Sequence, residues 1–306
     1  MSLSIPPLDR RTTPLGEHDV LEDEVIGTAK RFWSRFFATR ASIVGLGFVA
    51  LVIIVAVFAS LLSPYSQTSN FRQINATPSW SHLLGTDDIG RDILSRIMYG
   101  AQVSLEAAFM IIGFALAVAL PLGLIAGYFG GRTDSLLMRV MDAMFAFPPL
   151  ILALTVAALL GKSLLNESIA IAIVFVPGFV RLIRGQVLAV REETFIEASR
   201  SIGAGPWRMI GRHIFPNVAS PLIVQVALAL GYALLAEAGL SFLGLGVQPP
   251  QASWGGMLSE AYQFLFTDSW AVVVPGAAIA LTVLAFNLVG DGLRDALGRE
   301  RFVTNE

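Results

Sequence analysis

The stretch Ala107-Ala-Phe-Met-Ile-Ile-Gly-Phe-Ala-Leu-Ala-Val-Ala-Leu-Pro121-Leu-Gly-Leu-Ile-Ala-Gly-Tyr-Phe-Gly-Gly131 runs for 25 residues without one charge. A helix rises 1.5 Å per residue, so ~20 such residues cross the ~30 Å hydrocarbon core of a bilayer. This segment is long enough to span. Three further uncharged runs match it, 41–71, 213–236 and 269–290. A fifth, 143–161, lies between Asp142 and Lys162, and a sixth, 168–180, reaches spanning length if Arg181 and Arg184 snorkel toward the headgroups. Six transmembrane helices are therefore expected, which makes the chain an all-α polytopic membrane protein. The region 238–259 is also uncharged, but Gly239, Gly244, Gly246, Pro249, Pro250, Gly255 and Gly256 interrupt it, and it reads as a loop with a re-entrant part.

Composition agrees with a bilayer as solvent. Charged residues make up 14% and hydrophobic ones 55%, with a mean hydropathy of +0.68, against about a quarter charged in a soluble domain. The net charge of -2 and the scattered basic residues give no support for nucleic-acid binding. With no cysteine, disulfides, thiolate metal sites and cysteine nucleophiles are excluded.

Lys and Arg gather on the cytoplasmic side of short loops, which fixes orientation. With the amino terminus inside, the inner segments carry 17 basic residues, and the outer ones only Arg72, Arg91, Arg96 and Lys162. Six crossings thus place both termini in the cytoplasm. Residues 1–40 read as a cytoplasmic tail ending in the basic aromatic stretch Lys30, Arg31, Phe32, Trp33, Arg35, Phe36, Phe37, Arg40, a composition suited to membrane lipid headgroups. No small-residue cleavage site follows the first apolar run, so that helix is expected to stay rather than leave as a signal peptide. The expected plan is a first helix over 41–63, an external loop 64–102, a core of five helices over 103–290 and a cytoplasmic tail 291–306.

Between the fourth and fifth helices lies Arg191-Glu-Glu-Thr-Phe-Ile-Glu197-Ala198-Ser199-Arg200-Ser-Ile-Gly203-Ala204-Gly205-Pro206-Trp207-Arg208-Met-Ile-Gly-Arg212-His213-Ile214-Phe215-Pro216. The charged pattern 191–202 predicts a helix that Gly203 ends in the left-handed conformation. Pro206 suits the first turn of a second helix carrying Trp207, which Pro216 is expected to stop. Two short helices at an angle form a knob for a partner. The plain alternative, an amphipathic loop resting on headgroups, is about equally compatible with these residues alone.

Spacing separates the two readings. Gly203 follows Glu197 by six positions and Pro216 follows it by nineteen. This resembles the EAA coupling loop of ABC importer permeases, with Ser199 where the family pattern has alanine. Three more stretches resemble the C-type subunit of the dipeptide and oligopeptide permeases: Leu84-Gly85-Thr86-Asp87-Asp88-Ile-Gly90-Arg91-Asp92-Ile-Leu-Ser95-Arg96; Gly239-Leu-Ser-Phe-Leu-Gly244-Leu-Gly246-Val-Gln248-Pro249-Pro250 with Trp254-Gly255; and Asn287-Leu-Val-Gly290-Asp291-Gly292-Leu-Arg294-Asp295. The resemblance implies an ABC importer type I permease fold and one half of a heterodimeric channel. It also implies two ATP-binding subunits inside, an external substrate-binding protein and a cell inner-membrane location. Relatives of this kind move dipeptides, oligopeptides, nickel or glutathione. Glu197, Ala198, Ser199, Gly203, Ala204, Gly205, Pro206, Trp207 and Pro216 would form the coupling element.

Other candidate sites have simpler explanations. Gly161-Lys162-Ser163 imitates the end of a phosphate loop, but the earlier glycine would fall at Val156, within an apolar helix. ATP hydrolysis is therefore expected on another chain, and this one is not expected to be an enzyme or to need a cofactor. Asp87, Asp88 and Asp92 lack calcium-loop spacing and read as acidic residues at a helix start. His18, His82 and His213 lie too far apart to suggest a metal site. Glu106, Asp142 and Glu237 lie in or near membrane helices. Asp142 is expected to pair with Arg139. Glu237 is the candidate for the translocation path, near the outer mouth, where it could meet a peptide ammonium; a structural partner role fits it equally. Pro121, Pro148, Pro149, Pro177 and Pro275, with Gly123 and Gly127, suit helices that bend or pack closely. An ion-coupled secondary transporter would favour several midplane carboxylates and inverted repeats, and a membrane-embedded enzyme would need a catalytic cluster. Neither pattern is clear in the sequence.

Overall fold

A computed structural model describes residues 31–266 and 269–298. The amino-terminal tail to Lys30 with its His18 and the segment 299–306 lie outside the described residues. Among the described residues a helical stretch at 31–36 is followed by α1 (Arg40–Val57), α2 (Ala59–Leu62), α3 (Ile93–Phe129), α4 (Gly131–Phe145), α5 (Pro149–Leu160), α6 (Leu164–Arg191), α7 (Thr194–Ser201), α8 (Pro206–Phe242), α9 (Trp254–Tyr262) and α10 (Ser269–Gly298). Five of them, α1, α3, α6, α8 and α10, are long and apolar enough to cross a membrane.

The expected crossing over 143–161 takes another form. Its apolar run is split between α4 and α5, which meet at 90°. The cause is Pro148-Pro149: a residue before proline is pushed out of the helical region, and Pro148 is extended at ψ 128°. Pro149 then starts α5, whose 12 residues cover about 18 Å. The sixth crossing exists only if this bent pair counts as one span. By contrast the short run 168–180 sits inside a helix of 28 residues, with Arg181, Arg184 and Arg191 on its last turns.

The spans pack through small residues. α3 and α6 share the most extensive contact, and glycines bring them together. A Cβ at Gly123 would stand 2.7 Å from Ile183 Cβ, and one at Gly127 2.6 Å from Val187 Cβ. Two glycines one turn apart thus form a groove for two branched side chains of α6, the close approach that membrane helices use in place of a hydrophobic driving force. Ala108, Ile111, Ala115 and Ala119 continue the buried face of α3, and Ile171, Val180 and Ile183 that of α6. Outward-facing Leu51, Leu61, Leu159 and Leu284 are exposed in the isolated chain, as lipid-facing residues are.

The expected external segment 64–102 divides in two: residues 63–92 fold as a compact non-helical cap, and 93–102 are already the first turns of α3. Asp92 is the N-cap of α3 and accepts from the Ser95 backbone N–H at 2.8 Å, as expected for an acidic residue at a helix start. It also meets His82 Nδ1 at 2.9 Å. Asp87 has a different task, accepting from Arg91 Nε and Arg96 NH1, both at 2.6 Å. Glu260 of α9 accepts from the same two guanidinium groups at 2.6 and 2.8 Å. The cap is thereby riveted to α9, far along the chain. Asp88 sits beside this cluster, and burial, then the Asp87 charge, raises its carboxyl above the usual range.

Candidate functional site

The loop between α6 and α8 is built from its glycine. Gly203 adopts φ +86°, and its N–H reaches Arg200 O at 3.0 Å while the Ala204 N–H reaches Ser199 O at 3.2 Å. These two bonds are the paired closure of a Schellman cap, which needs a left-handed residue that only glycine adopts without strain. Gly205 then precedes Pro206 at the first position of α8, and the Met209 N–H closes the first turn on Gly205 O at 2.9 Å. The N–H groups of Ile202, Gly203 and Ala204 thus all close on carbonyls of α7, which fixes the corner's geometry.

The knob has two faces. Ile196, Met209, Ile210 and Ile214 are buried and anchor α7 and the start of α8 to the bundle. Glu197, Ala198, Gly203, Gly205, Pro206 and Trp207 face outward, with Ser199 and Ala204 partly covered. Two bulky apolar side chains stand out: Ile202 is 87% exposed and Trp207 70% exposed. Trp207 has only the Phe129 ring beside it, edge to face at 6.2 Å. Outside a membrane, such side chains mark an interaction site.

Pro216 does not stop the second helix. The chain passes from α-helix through a π-helical turn at Met209–Ile214 and continues as α-helix to Phe242. Proline lacks the N–H that an α-helix would use, and the widened turn absorbs the mismatch. The Asn217 side-chain amide takes the His213 carbonyl at 2.7 Å. The second arm of the knob is thus the end of a spanning helix, with Trp207 on its first turn.

Near the same face, α4 is tied to α6 by ion pairs. Arg184 binds Asp134 through Nε and NH2, at 2.5 and 2.6 Å. Asp142 pairs with Arg181 rather than with the expected Arg139, because the bend after Phe145 lays α4 alongside the end of α6.

Glu237, the translocation-path candidate, is fully buried inside the chain. Helix α8 runs through Gly239 to Phe242, so the carboxylate sits within the span and points into a polar junction. Ser241 Oγ lies 3.0 Å from its Oε1, and the hydroxyls of Ser104 and Ser253 flank it. Glu167 of α6 joins from the other side, also fully buried. An apolar cleft of about 420 Å³ opens between α5, α6 and α8, lined by Phe145, Leu150, Phe175, Tyr232 and Ala236; neither glutamate lines it. Glu106, by contrast, is exposed on α3. Among the described residues no group of three His, Asp or Glu side chains is arranged to hold a metal. Ser163 caps α6 by accepting from the Asn166 N–H at 3.1 Å, the loop-terminus role expected for Gly161-Lys162-Ser163. Sequence reasoning missed Ile202, Glu167 and Glu260: the first carries no motif, and the other two acquire meaning only from partners more than 70 positions away.

A family model described as "Binding-protein-dependent transport system inner membrane component" matches residues 119–302. A second, the "N-terminal TM domain of oligopeptide transport permease C", matches 28–78. A dipeptide transport system permease protein DppC of Alkalihalophilus pseudofirmus is 48% identical over 260 residues, 84% of this chain and 85% of that protein. A glutathione transport system permease protein GsiD of Pectobacterium atrosepticum is 42% identical over 291 residues, 94% of this chain and 97% of that protein. Among solved structures, a chain of the inward-facing MetNI methionine ABC transporter shares the fold at a TM-score of 0.57 and 16% identity, covering 67% of this chain and 97% of its own length. These similarities and the five spans with a bent pair agree on one assignment: the chain belongs to the inner-membrane permeases of binding-protein-dependent ABC importers, in the C-type branch of the peptide transporters.

Proposed function

We propose that this permease passes dipeptides or oligopeptides across the inner membrane, forming half of a path with a second permease subunit, and that two ATP-binding subunits drive it from the cytoplasm through the loop 191–216. The observation that carries this reading is the knob: Ile202 and Trp207 exposed on a corner closed by the Gly203 cap and rooted by Ile196 and Met209 in the core. Both termini lie inside, and an external binding protein delivers the cargo. ATP is hydrolysed on the partner subunits, so the chain is not itself an enzyme. Glutathione is the second cargo reading, favoured by the relative that covers nearly the whole chain; it is a tripeptide with a charged amino group and carboxylates, though its glutamate is joined through the γ-carboxyl.

The test is Gly203→Val in the complete transporter. A β-branched residue cannot hold φ +86° without strain, so the corner opens while the spans stay intact. The expected result is normal membrane insertion with loss of labelled dipeptide uptake and of co-purified ATPase. Uptake at the wild-type rate refutes the coupling role. Running the assay with dipeptide and with glutathione in competition ranks the two cargoes.

A further inference from the structure

Glu167 and Glu237 meet across a single hydroxyl. Ser241 Oγ stands 3.1 Å from Glu167 Oε1, 3.4 Å from Glu167 Oε2 and 3.0 Å from Glu237 Oε1. Serine has one hydrogen to donate. If both carboxylates were ionised, one of them would face the lone pairs of Oγ at hydrogen-bonding distance. Two like charges would also share a site closed to water, the situation in which a carboxylate dyad retains a proton.

Among the described residues, no ion pair links either glutamate to Lys, Arg or His. The groups around it are Ser104 from α3, Ser241 from α8, Ser253 at the start of α9 and the backbone of Gly246. None of these titrates near neutral pH, and Glu106, on the same helix as Ser104, is exposed. A second observation bears on the pair: Glu237 Oε2 is buried and closes no hydrogen bond of good geometry, although the Ser104 and Ser253 hydroxyls stand beside the same carboxyl. An ionised oxygen left so is costly, whereas the carbonyl oxygen of a neutral carboxyl tolerates it far better.

We propose that Glu167 and Glu237 form a proton-binding site holding one proton between them. One carboxyl donates it to Ser241 Oγ, and the Ser241 hydrogen goes on to the other carboxylate, so every contact in the chain has a donor and an acceptor. The inference goes beyond the transport reading and does not depend on which cargo passes.

The site joins four helices. Ser104 accepts the Trp254 N–H at 3.1 Å, and Ser253 accepts the Gly256 N–H at 3.1 Å as the cap of α9. A Cβ at Gly246 would lie 2.9 Å from Glu167 Oε2, so the glycine-rich loop after α8 rests on the pair itself. Losing the proton puts a second negative charge under that loop and under the start of α9. The grip of residues 243–262 on the bundle is therefore present while the proton is held and is lost as pH rises far enough to remove it.

Infrared spectra of the purified chain in liposomes at neutral pH, in H₂O and D₂O, test the site. The expected result is a carbonyl stretch of a protonated carboxylic acid that disappears in the double variant Glu167→Gln, Glu237→Gln and persists in Glu106→Gln. A wild-type spectrum without a band that the double variant removes overturns the proposal, whether the pair is doubly ionised or holds a metal cation. If the double variant fails to insert, Ser241→Ala replaces it: the band must shift in frequency, and an unmoved band is equally contradictory. Hydrogen exchange of 243–262, corrected for intrinsic rates, should rise with pH in the wild type and stay flat in the double variant.

Discussion

The two ends of this bundle use their side chains in opposite ways. At one end, Ile202 and Trp207 are bulky apolar groups exposed on a corner capped by Gly203. At the other end, Glu167, Glu237, Asp87, Arg91 and Arg96 are polar or charged groups drawn inside, with Glu260 closing the ion network from α9. An exposed hydrophobic knob offers apolar area to a partner, whereas the buried polar groups pair with one another within the chain. The difference separates an exposed apolar corner from a joint that holds this chain together.

Breaking the knob should have the largest effect. Exposed aromatic anchors at an interface typically cost about 2 kcal/mol or more on truncation. Trp207→Ala with Ile202→Ser is accordingly expected to weaken binding of the ATP-binding subunit by ~30-fold or more, with no loss of thermal stability in the isolated permease. Titration of the detergent-purified partners reads both quantities. An unchanged affinity removes the knob from the interface.

The next effect lies between the two ends. Gly127→Leu forces a side chain into the space of Val187, and overpacking of this kind costs about 1–3 kcal/mol. The melting temperature should fall, and Val187→Ala should restore part of the loss. A variant as stable as wild type means that α3 and α6 are not held by close glycine contact.

At the outer end, Glu260→Gln removes the charge that binds Arg91 and Arg96 from α9, while Asp87 still pairs with both. The pair is partly exposed, so solvent screening limits the cost to about 1 kcal/mol. Hydrogen exchange should rise in the 63–92 cap and in α9 together, and exchange confined to one of them argues against the rivet.

Asp88→Asn should be the smallest change and opposite in sign. The carboxyl of Asp88 is raised by burial and by Asp87, so its ionised form weakens the fold and its protonated form does not. Stability linked to this group is complete below the unfolded value near 3.8 and is lost as pH rises through the raised value. Asn is expected to raise the melting temperature slightly at neutral pH, with the gain fading in acid. A gain that persists unchanged in acid rules out ionisation as its cause.

The same contrast explains what was legible in the sequence. Apolar runs give the spans directly because a bilayer enforces a fixed length of uncharged helix. The knob is local, with Gly203 and Pro206 acting within a few residues of their own positions, so its spacing could be read. Pro216 could not be read, because whether a proline ends a helix depends on the π-helical turn that absorbs it. The Pro148-Pro149 break was visible as two residues, but not the 90° angle they produce. Glu237 showed as an anomaly in an apolar run, while its partner Glu167, at the edge of another, did not. That pairing depends on how α6 and α8 pack, a tertiary fact that no local pattern encodes.

The central claim is that 191–216 is the point of contact with the ATP-binding subunits. A photo-reactive amino acid placed at Ile202 in the assembled transporter, with one placed at Ile89 of the external cap as the comparison, tests it directly. Illumination should join the permease to the ATP-binding subunit from position 202 and not from position 89. A transporter that still imports peptide yet gives no such adduct from position 202 would contradict the account.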